Sequence, residues 1–306
     1  MLRYILKRVP QAIVTLFIAS IIVFILARVT GDPVALLMSD FATEDERARL
    51  TQQLGLDKSL PEQYAIFIGK AVQGDLGNSV RGARAPALGL VLERLPASIY
   101  LAGLSLIVGV MIGLPLGVLS AVWKGTIMDA LLRIVALLGQ ATPVFWLGIV
   151  MIYVFSVRLG WLPTSGYGRA TQFVMPVMAL SSFMVAAIMR LTRAGMLEVI
   201  DSEFIKLARI KGLPESKVIW KHALANSLIP LITYLGTIFG RSITGAVVVE
   251  TIFAWPGVGR LAYEAVLARD FPVLQAVVLF TATSFLFINL VVDVLYAYVD
   301  PRIRYS

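Results

Sequence analysis

Six long stretches of this sequence contain no Asp, Glu, Lys or Arg, and they constrain the fold more than any other feature. They cover residues 9–27, 95–123, 134–157, 170–189, 222–240 and 271–292. Each is about as long as the 20 residues that an α-helix needs to cross a hydrocarbon core of about 30 Å. Continuous apolar runs also differ from the alternating segments of membrane β-barrels. The sequence therefore predicts an all-α, polytopic membrane protein with six transmembrane helices.

The composition and the charge distribution agree with this class. Hydrophobic residues make up 58% of the chain and charged residues 15%, which is more apolar surface than a water-soluble domain can bury. If the N-terminus lies inside, the inner segments carry an excess of basic residues equal to the whole net charge of +8. The two short outer loops contribute only Arg158, Arg169, Arg260 and Arg269. This bias predicts cytoplasmic N- and C-termini and gives no reason to expect a nucleic-acid partner.

The spacing of the apolar runs also suggests a domain division. Residues 1–29 are predicted to form a cytoplasmic N-terminus and transmembrane helix 1, a retained signal anchor rather than a cleaved signal. Residues 30–94 are predicted to form an extracytoplasmic helical cap. Residues 95–306 are predicted to form a five-helix core with a cytoplasmic loop at 190–225.

Two short helices are expected within the cap. Asp40 or Thr43 is predicted to cap a helix that ends near Gly55, because both residue types favour helix starts and Gly favours the left-handed position after a helix. Pro61 is predicted to start a second helix that ends at Gly74.

The segment Glu203–Pro230, called the 203–230 segment below, is basic, amphipathic and interrupted by glycine. A chain that only crossed a membrane would join its helices with a short polar turn. This segment instead intersperses lysines and arginines with apolar residues. It is expected to be bound by another protein on the cytoplasmic side.

The sequence offers little for catalysis. It contains no GxxxxGK[ST] phosphate-binding loop and no cysteine, and its one histidine, His222, cannot form a metal cluster. No catalytic residue, metal site or bound cofactor is predicted.

Two ionisable residues directly follow charge-free stretches and are still surrounded by apolar sequence, where they are costly unless paired or hydrated. Arg241 either lines a water-filled path and meets an anionic group, or pairs with backbone carbonyls or another subunit. Asp293 is expected to make a structural hydrogen bond or salt bridge.

Glycines and prolines in the apolar runs are expected to serve packing and bending. Gly109, Gly113 and Gly117 should let helices approach closely, whereas Pro143 and Pro176 should introduce kinks. Gly236, Gly240 and Gly245 share a smooth helix face that suits either packing or a pore wall.

Several longer motifs make the chain recognisable. They include GDP at 31–33, LGLDKSLPEQY at 54–64, PVFWLG at 143–148, TRAGMLEV at 192–199, ARIKGLPESKVIWKHALANSLIP at 208–230, AVVVETIFAWPGVGRL at 246–261 and VVDVLYAYVDPRIRY at 291–305. On these motifs the chain resembles, essentially end to end, the permease subunits of binding-protein-dependent ABC importers of the dipeptide, oligopeptide, nickel and glutathione group.

The resemblance implies a type I ABC importer permease fold and a site in the 203–230 segment that couples to ATPase subunits. It assigns coupling to Phe204, Lys206, Leu207, Ala208, Arg209, Lys211, Gly212, Leu213 and Pro214. Ala208 and Gly212 are expected to give close backbone approach and a break between helices. The general family motif has Glu where this chain has Lys206, which bears on the subtype more than on the role.

The resemblance also implies the remaining parts of an importer. The translocation path is assigned to Arg241, Gly240 and Gly245, and a binding-protein docking or gating element to Glu250, Trp255, Pro256 and Gly257. The expected partners are a second permease subunit, usually a paralogue, two ABC ATPase subunits and an extracytoplasmic substrate-binding protein, in a bacterial inner membrane. ATP and Mg would bind the ATPase subunits, so this chain is not expected to be an enzyme by itself.

The solute stays open at this point. Di- or oligopeptides are expected first, with nickel chelates, glutathione, opines and oligosaccharides as alternatives on the same scaffold. A stand-alone secondary transporter is a different class of hypothesis. It would need intramembrane carboxylates for ion coupling, and Asp293 is the only candidate.

Overall fold

The computed structural model describes residues 2–29, 43–53, 55–80 and 85–299. Numbered in chain order, its helices are α1 (Leu2–Val29), α2 (Glu44–Gln53), α3 (Leu60–Val72), α4 (Ala87–Val122), α5 (Ile127–Ala141), α6 (Val144–Arg158), α7 (Ala170–Ile200), α8 (Glu203–Ile210), α9 (Glu215–Ser227), α10 (Ile229–Gly245), α11 (Val247–Ile252), α12 (Val258–Ala268) and α13 (Phe271–Val299). No strand occurs in these ranges, where β-type pairing is limited to one isolated bridge between Asn78 and Pro86. The all-α prediction is confirmed.

Among the described residues, four helices are long and apolar enough to cross a membrane unbroken. They are Arg8–Val29 of α1, Ala87–Val122, Ala170–Ile200 and Phe271–Val292 of α13. Two further candidates are bent pairs: α5 with α6, at 96°, and α9 with α10, at 59°. The six predicted spans therefore correspond to four continuous helices and two broken ones.

Prolines account for where the broken spans bend. Pro143 precedes the first residue of α6, and Pro230 lies in the first turn of α10. Proline has no backbone N–H and its ring clashes with the preceding turn, so a helix interrupts there. The predicted bend at Pro143 is confirmed. α7 runs through Pro176 without a break. The kink predicted at Pro176 stays a prediction.

The chain divides into two compact units. The first unit contains Ser98–Trp255 and the described residues from Ile288, and the second contains Leu2–Ala97 and Pro256–Phe287. Because α4 begins at Ala87, the predicted cap at 30–94 includes the first turns of this helix. The predicted domain boundaries otherwise stay a prediction.

Within the first unit, α4 and α7 pack with their backbones in close approach. A Cβ atom on Gly113 would lie 2.8 Å from the Val185 carbonyl oxygen, and one on Gly117 would lie 2.6 Å from that of Met189. Only glycine leaves this space, as small residues do at membrane helix contacts. The packing role predicted for these glycines is confirmed.

Within the second unit, the two cap helices begin as the sequence predicts. Thr43 and Glu46 bond reciprocally at the start of α2, where Glu46 Oε2 accepts from the Thr43 amide at 3.0 Å. Ser59 and Glu62 form the same arrangement at α3. Gly55 and Gly74 adopt positive φ angles of 66° and 82° after these helices. Asp40, the alternative cap, and the motif at 31–33 lie outside the described residues.

The rest of the second unit joins the start of α4 to α12 and α13. Ala87 and Val91 of α4 are buried with Val258 and Leu261 of α12 and with Val273 of α13. A buried hydrogen bond from Ser79 Oγ to Asp270 Oδ2, at 2.5 Å, ties the chain before α4 to the turn before α13.

Candidate functional site

The helix α8 opens the 203–230 segment and is amphipathic. Glu203 lies in its first turn, where a carboxylate is favourable for the helix dipole. Ile205 and Ala208 face inward and are buried, with 0% and 8% of their surfaces exposed. They pack in one cluster with Val118, Ala121, Met196, Val218 and Ala223. One face of α8 therefore rests on the ends of α4 and α7 and on α9.

The opposite face of α8 presents apolar side chains to the surface. Phe204, Leu207 and Ile210 are 47%, 50% and 81% exposed, respectively. They follow one another at three-residue spacing, which places them along one side of a helix. The 203–230 segment thus combines an anchored face with an apolar, outward-facing one.

The turn after α8 depends on glycine. Gly212 has a φ of +76°, a conformation that other residues adopt only with strain. No atom lies within 4 Å of the position that its Cβ would take. The predicted break between helices is confirmed, but conformation and not close approach is what requires glycine at this position. Pro214 then precedes α9, and half-buried Leu213 packs against the cluster below α8.

Ion pairs fasten the charged side chains of the segment. Arg209 Nη2 lies 2.8 Å from Glu215 Oε1, so this pair spans the turn at Gly212. The hydrogen bonds that Arg209 donates to the Glu215 carboxylate raise the pKa of the Arg209 guanidinium, which therefore stays charged. Lys206 Nζ lies 2.8 Å from Glu203 Oε1 within α8. Lys211, also assigned to coupling, is exposed at the end of this helix.

The residues predicted to line a path all fall on α10. Gly240 is buried, Arg241 is exposed, and Gly245 is the last residue of the helix. Gly236, one turn before Gly240, faces Val292 of α13 so closely that a Cβ could not fit. At Gly236 the smooth face therefore serves helix packing. The path assignment itself stays a prediction, and the side chain of Asp293 lies outside the described part of α13.

The residues predicted for docking or gating are buried more deeply than expected. Glu250 and Trp255 are 0% exposed. Ser98 Oγ donates to Glu250 Oε1 at 2.7 Å. The Trp255 ring packs edge-on against Tyr167 and Phe173, with centroids 4.9 and 4.8 Å apart.

This burial corrects one expectation. The side chains of Glu250 and Trp255 are not on the surface, so they cannot meet a docked protein directly in this conformation. A mainly apolar motif such as FAWPG gave no signal that separated a surface loop from a core element. Gly257 is also buried, at the start of α12, and Pro256 is half-buried beside it. A gating role for the four residues stays a prediction.

Comparisons with known families and proteins agree with the fold. A family described as "Binding-protein-dependent transport system inner membrane component" matches residues 113–305. The family of the corresponding N-terminal part matches residues 1–99. Glutathione transport system permease proteins GsiC from Escherichia coli strain K12 and Shigella flexneri serotype 5b are each 40% identical to this chain over 307 residues, covering all of both proteins.

Solved structures resemble the chain at lower identity. An inward-facing structure of the MetNI methionine ABC transporter matches with a TM-score of 0.54 and 19% identity, over 69% of this chain and 96% of that one. An amino acid ABC transporter structure with histidines matches with a TM-score of 0.52 and 18% identity, over 70% and 94%. At these identities the likeness concerns the fold alone.

Proposed function

This chain belongs to the family of binding-protein-dependent transport system inner membrane components, as a permease subunit of an ABC importer, and we propose that it couples to separate ATPase subunits through the 203–230 segment. The observation that carries this proposal is the exposed apolar face of α8, formed by Phe204, Leu207 and Ile210. A membrane protein gains nothing from three such side chains on a basic, polar segment unless a partner covers them.

The chemistry of this face suits the groove of a soluble protein. An amphipathic helix binds a groove through side chains spaced along one face, and the three residues have that spacing. Three basic residues, Lys206, Arg209 and Lys211, lie near this face, and Glu203 and Glu215 pair with the first two. The small positive excess favours a partner with an acidic rim. ATP binding would draw two ATPase subunits together, and α8, anchored on α4 and α7, would pass this movement to the spans. If the 203–230 segment faces the cytoplasm, both chain termini lie on the cytoplasmic side of the bacterial inner membrane.

The solute is proposed to be a di- or oligopeptide or a related small molecule such as glutathione. The support is the full-length similarity to permeases named for glutathione transport. Arg241 would lie along the path and meet a carboxylate of this solute, with Gly240 and Gly245 as the small residues beside it. Nickel chelates, opines and oligosaccharides are the alternative solutes within the same mechanism.

Two experiments test these parts separately. A thermal-shift screen of the cognate binding protein against glutathione, dipeptides, nickel chelates, opines and oligosaccharides should show stabilisation by a peptide-type solute. Stabilisation by one of the other solute classes alone would overturn the proposal of a peptide-type solute. Affinity purification of the tagged chain, expressed with the neighbouring genes, should retain two ATPase subunits and a second, paralogous permease. Purification of a stable chain with no ATPase would overturn the coupling role.

A further inference from the structure

Asp129 is a buried carboxylate that the proposed function leaves unused. It lies in the first turn of α5 and is 1% exposed. Its Oδ1 atom accepts hydrogen bonds from Ser120 Oγ at 2.6 Å and from Arg193 Nε at 3.0 Å. Its Oδ2 atom accepts from Arg193 Nη2 at 2.9 Å and from the Gly125 amide at 3.2 Å. Both oxygens are therefore satisfied, and the contact with Arg193 is bidentate.

This carboxylate joins three helices. Ser120 lies in the last turn of α4, Asp129 in the first turn of α5, and Arg193 near the end of α7. Arg133, one turn further along α5, lies 3.4 Å from Oδ1 but is itself 54% exposed. Bidentate guanidinium–carboxylate contacts fix orientation as well as distance, because two parallel hydrogen bonds must form together. The network therefore sets the relative positions of the three helix ends.

The same helix ends support α8. Val118 and Ala121, which flank Ser120, and Met196, three residues after Arg193, are buried against Ile205 and Ala208. These three supporting residues are called the platform. A force on α8 can therefore reach α4 and α7 through the platform, within one turn of the Asp129 network.

We propose that Asp129 and Arg193 are positioning residues that clamp the ends of α4, α5 and α7 into one body beneath α8, so that a displacement of α8 moves all three helices together. This inference rests on the proposed coupling role of the 203–230 segment. Without the clamp, the three helix ends can shift relative to one another. Movement of the ATPase subunits would then displace α8 without moving α4, α5 and α7 together. Ser120 supports the clamp by a hydrogen bond to the same carboxylate.

A double variant separates this role from simple stabilisation. Arg193→Gln leaves the buried Asp129 carboxylate with only the exposed Arg133 as a charged neighbour, and Asp129→Asn leaves the half-buried Arg193 without its carboxylate, so either one lowers stability. The double variant D129N/R193Q buries no unpaired charge and should recover much of that stability. A purely structural ion pair predicts that function returns with stability. The clamp predicts that stability returns and coupling does not.

The experiment uses the complete importer in nanodiscs, with its partner permease and ATPase subunits. Three quantities are measured: retention of the ATPase subunits, basal ATP hydrolysis, and the stimulation of hydrolysis by the binding protein loaded with the solute found in the thermal-shift screen. In D129N/R193Q we expect retention and a basal rate near those of the unmodified importer, with stimulation lowered by about fivefold or more. Glu264→Gln is the matched control, because it removes the charge of an ion pair with Arg260 on α12, in the other compact unit; its stimulation should not change.

If the binding protein stimulated ATP hydrolysis in D129N/R193Q as strongly as in the unmodified importer, the proposed clamp would be overturned. Ser120→Ala provides a milder test, since it removes one hydrogen bond and no charge, and it should lower stimulation in the same direction. Failure of both the double variant and S120A to assemble would also overturn the clamp, because the network would then hold the fold and not the coupling. Failure of the proposed function is distinguishable from failure of the clamp. It would appear as unchanged binding of the ATPase subunits by the variant F204A/L207A.

Discussion

Removal of Phe204 and Leu207 should weaken ATPase binding by an amount that follows from their exposure. Full burial of a side chain of this size contributes about 1.5–3 kcal/mol. Both are about half exposed, at 47% and 50%. Covering the exposed half therefore contributes about 0.75–1.5 kcal/mol for each side chain, or about 1.5–3 kcal/mol for the pair. This difference corresponds to an increase of about 10- to 150-fold in Kd.

The assay measures binding of the purified ATPase subunits to the permease pair in nanodiscs, for the unmodified chain and for F204A/L207A. The anchored face of α8, with Ile205 and Ala208, is unchanged in this variant, so the permease should still fold; its thermal midpoint is measured beside Kd. V266A/L267A is the control, because these α12 residues are also exposed, at 55% and 67%, but lie outside the 203–230 segment. Equal Kd values for F204A/L207A and the unmodified chain would refute the proposal that this face of α8 binds the ATPase subunits.

Three further predictions concern single residues. Gly212→Val should lower the free energy of unfolding by about 1–2 kcal/mol, because φ at this position is +76°. It should also lower transport per ATP hydrolysed in proteoliposomes, and normal transport per ATP would contradict this. Arg241→Ala should weaken uptake of an anionic solute with assembly intact, and unchanged uptake would exclude a role in the path. Gly117→Ala should destabilise the chain by about 1–3 kcal/mol in thermal unfolding, because its Cβ would meet the Met189 carbonyl. Gly103→Ala, on the same helix with no atom within 4 Å, should not; equal loss in both would remove the packing argument.

Features set by neighbouring residues were predictable from the sequence. The starts of α2 and α3 depend on pairs three residues apart, Thr43 with Glu46 and Ser59 with Glu62. The turn at Gly212 follows from a glycine between two amphipathic stretches. The positions of the spans follow from the charge-free runs, because the hydrocarbon core excludes charge over a fixed thickness.

Features set by distant residues were not predictable. Asp129 and Arg193 are 64 positions apart, and the sequence assigned both only to the charge balance of the inner side. The spacing of Thr126 and Asp129 is a helix-start signature, and Thr126 Oγ1 does accept from the Asp129 amide at 3.3 Å. Nothing in that spacing indicates the partner on α7. Likewise, the burial of Trp255 depends on Tyr167 and Phe173, which the motif around Trp255 cannot reveal.

In the proposed importer, energy comes from separate ATPase subunits and this chain supplies half of the conduit. This division of roles is tested most directly by solute uptake into proteoliposomes that contain the assembled importer and its binding protein. We expect uptake with ATP, and none when the phosphate-loop lysine of the ATPase subunits is replaced, whether or not a proton or sodium gradient is imposed. Gradient-driven uptake by this chain without any ATPase subunit would contradict the account.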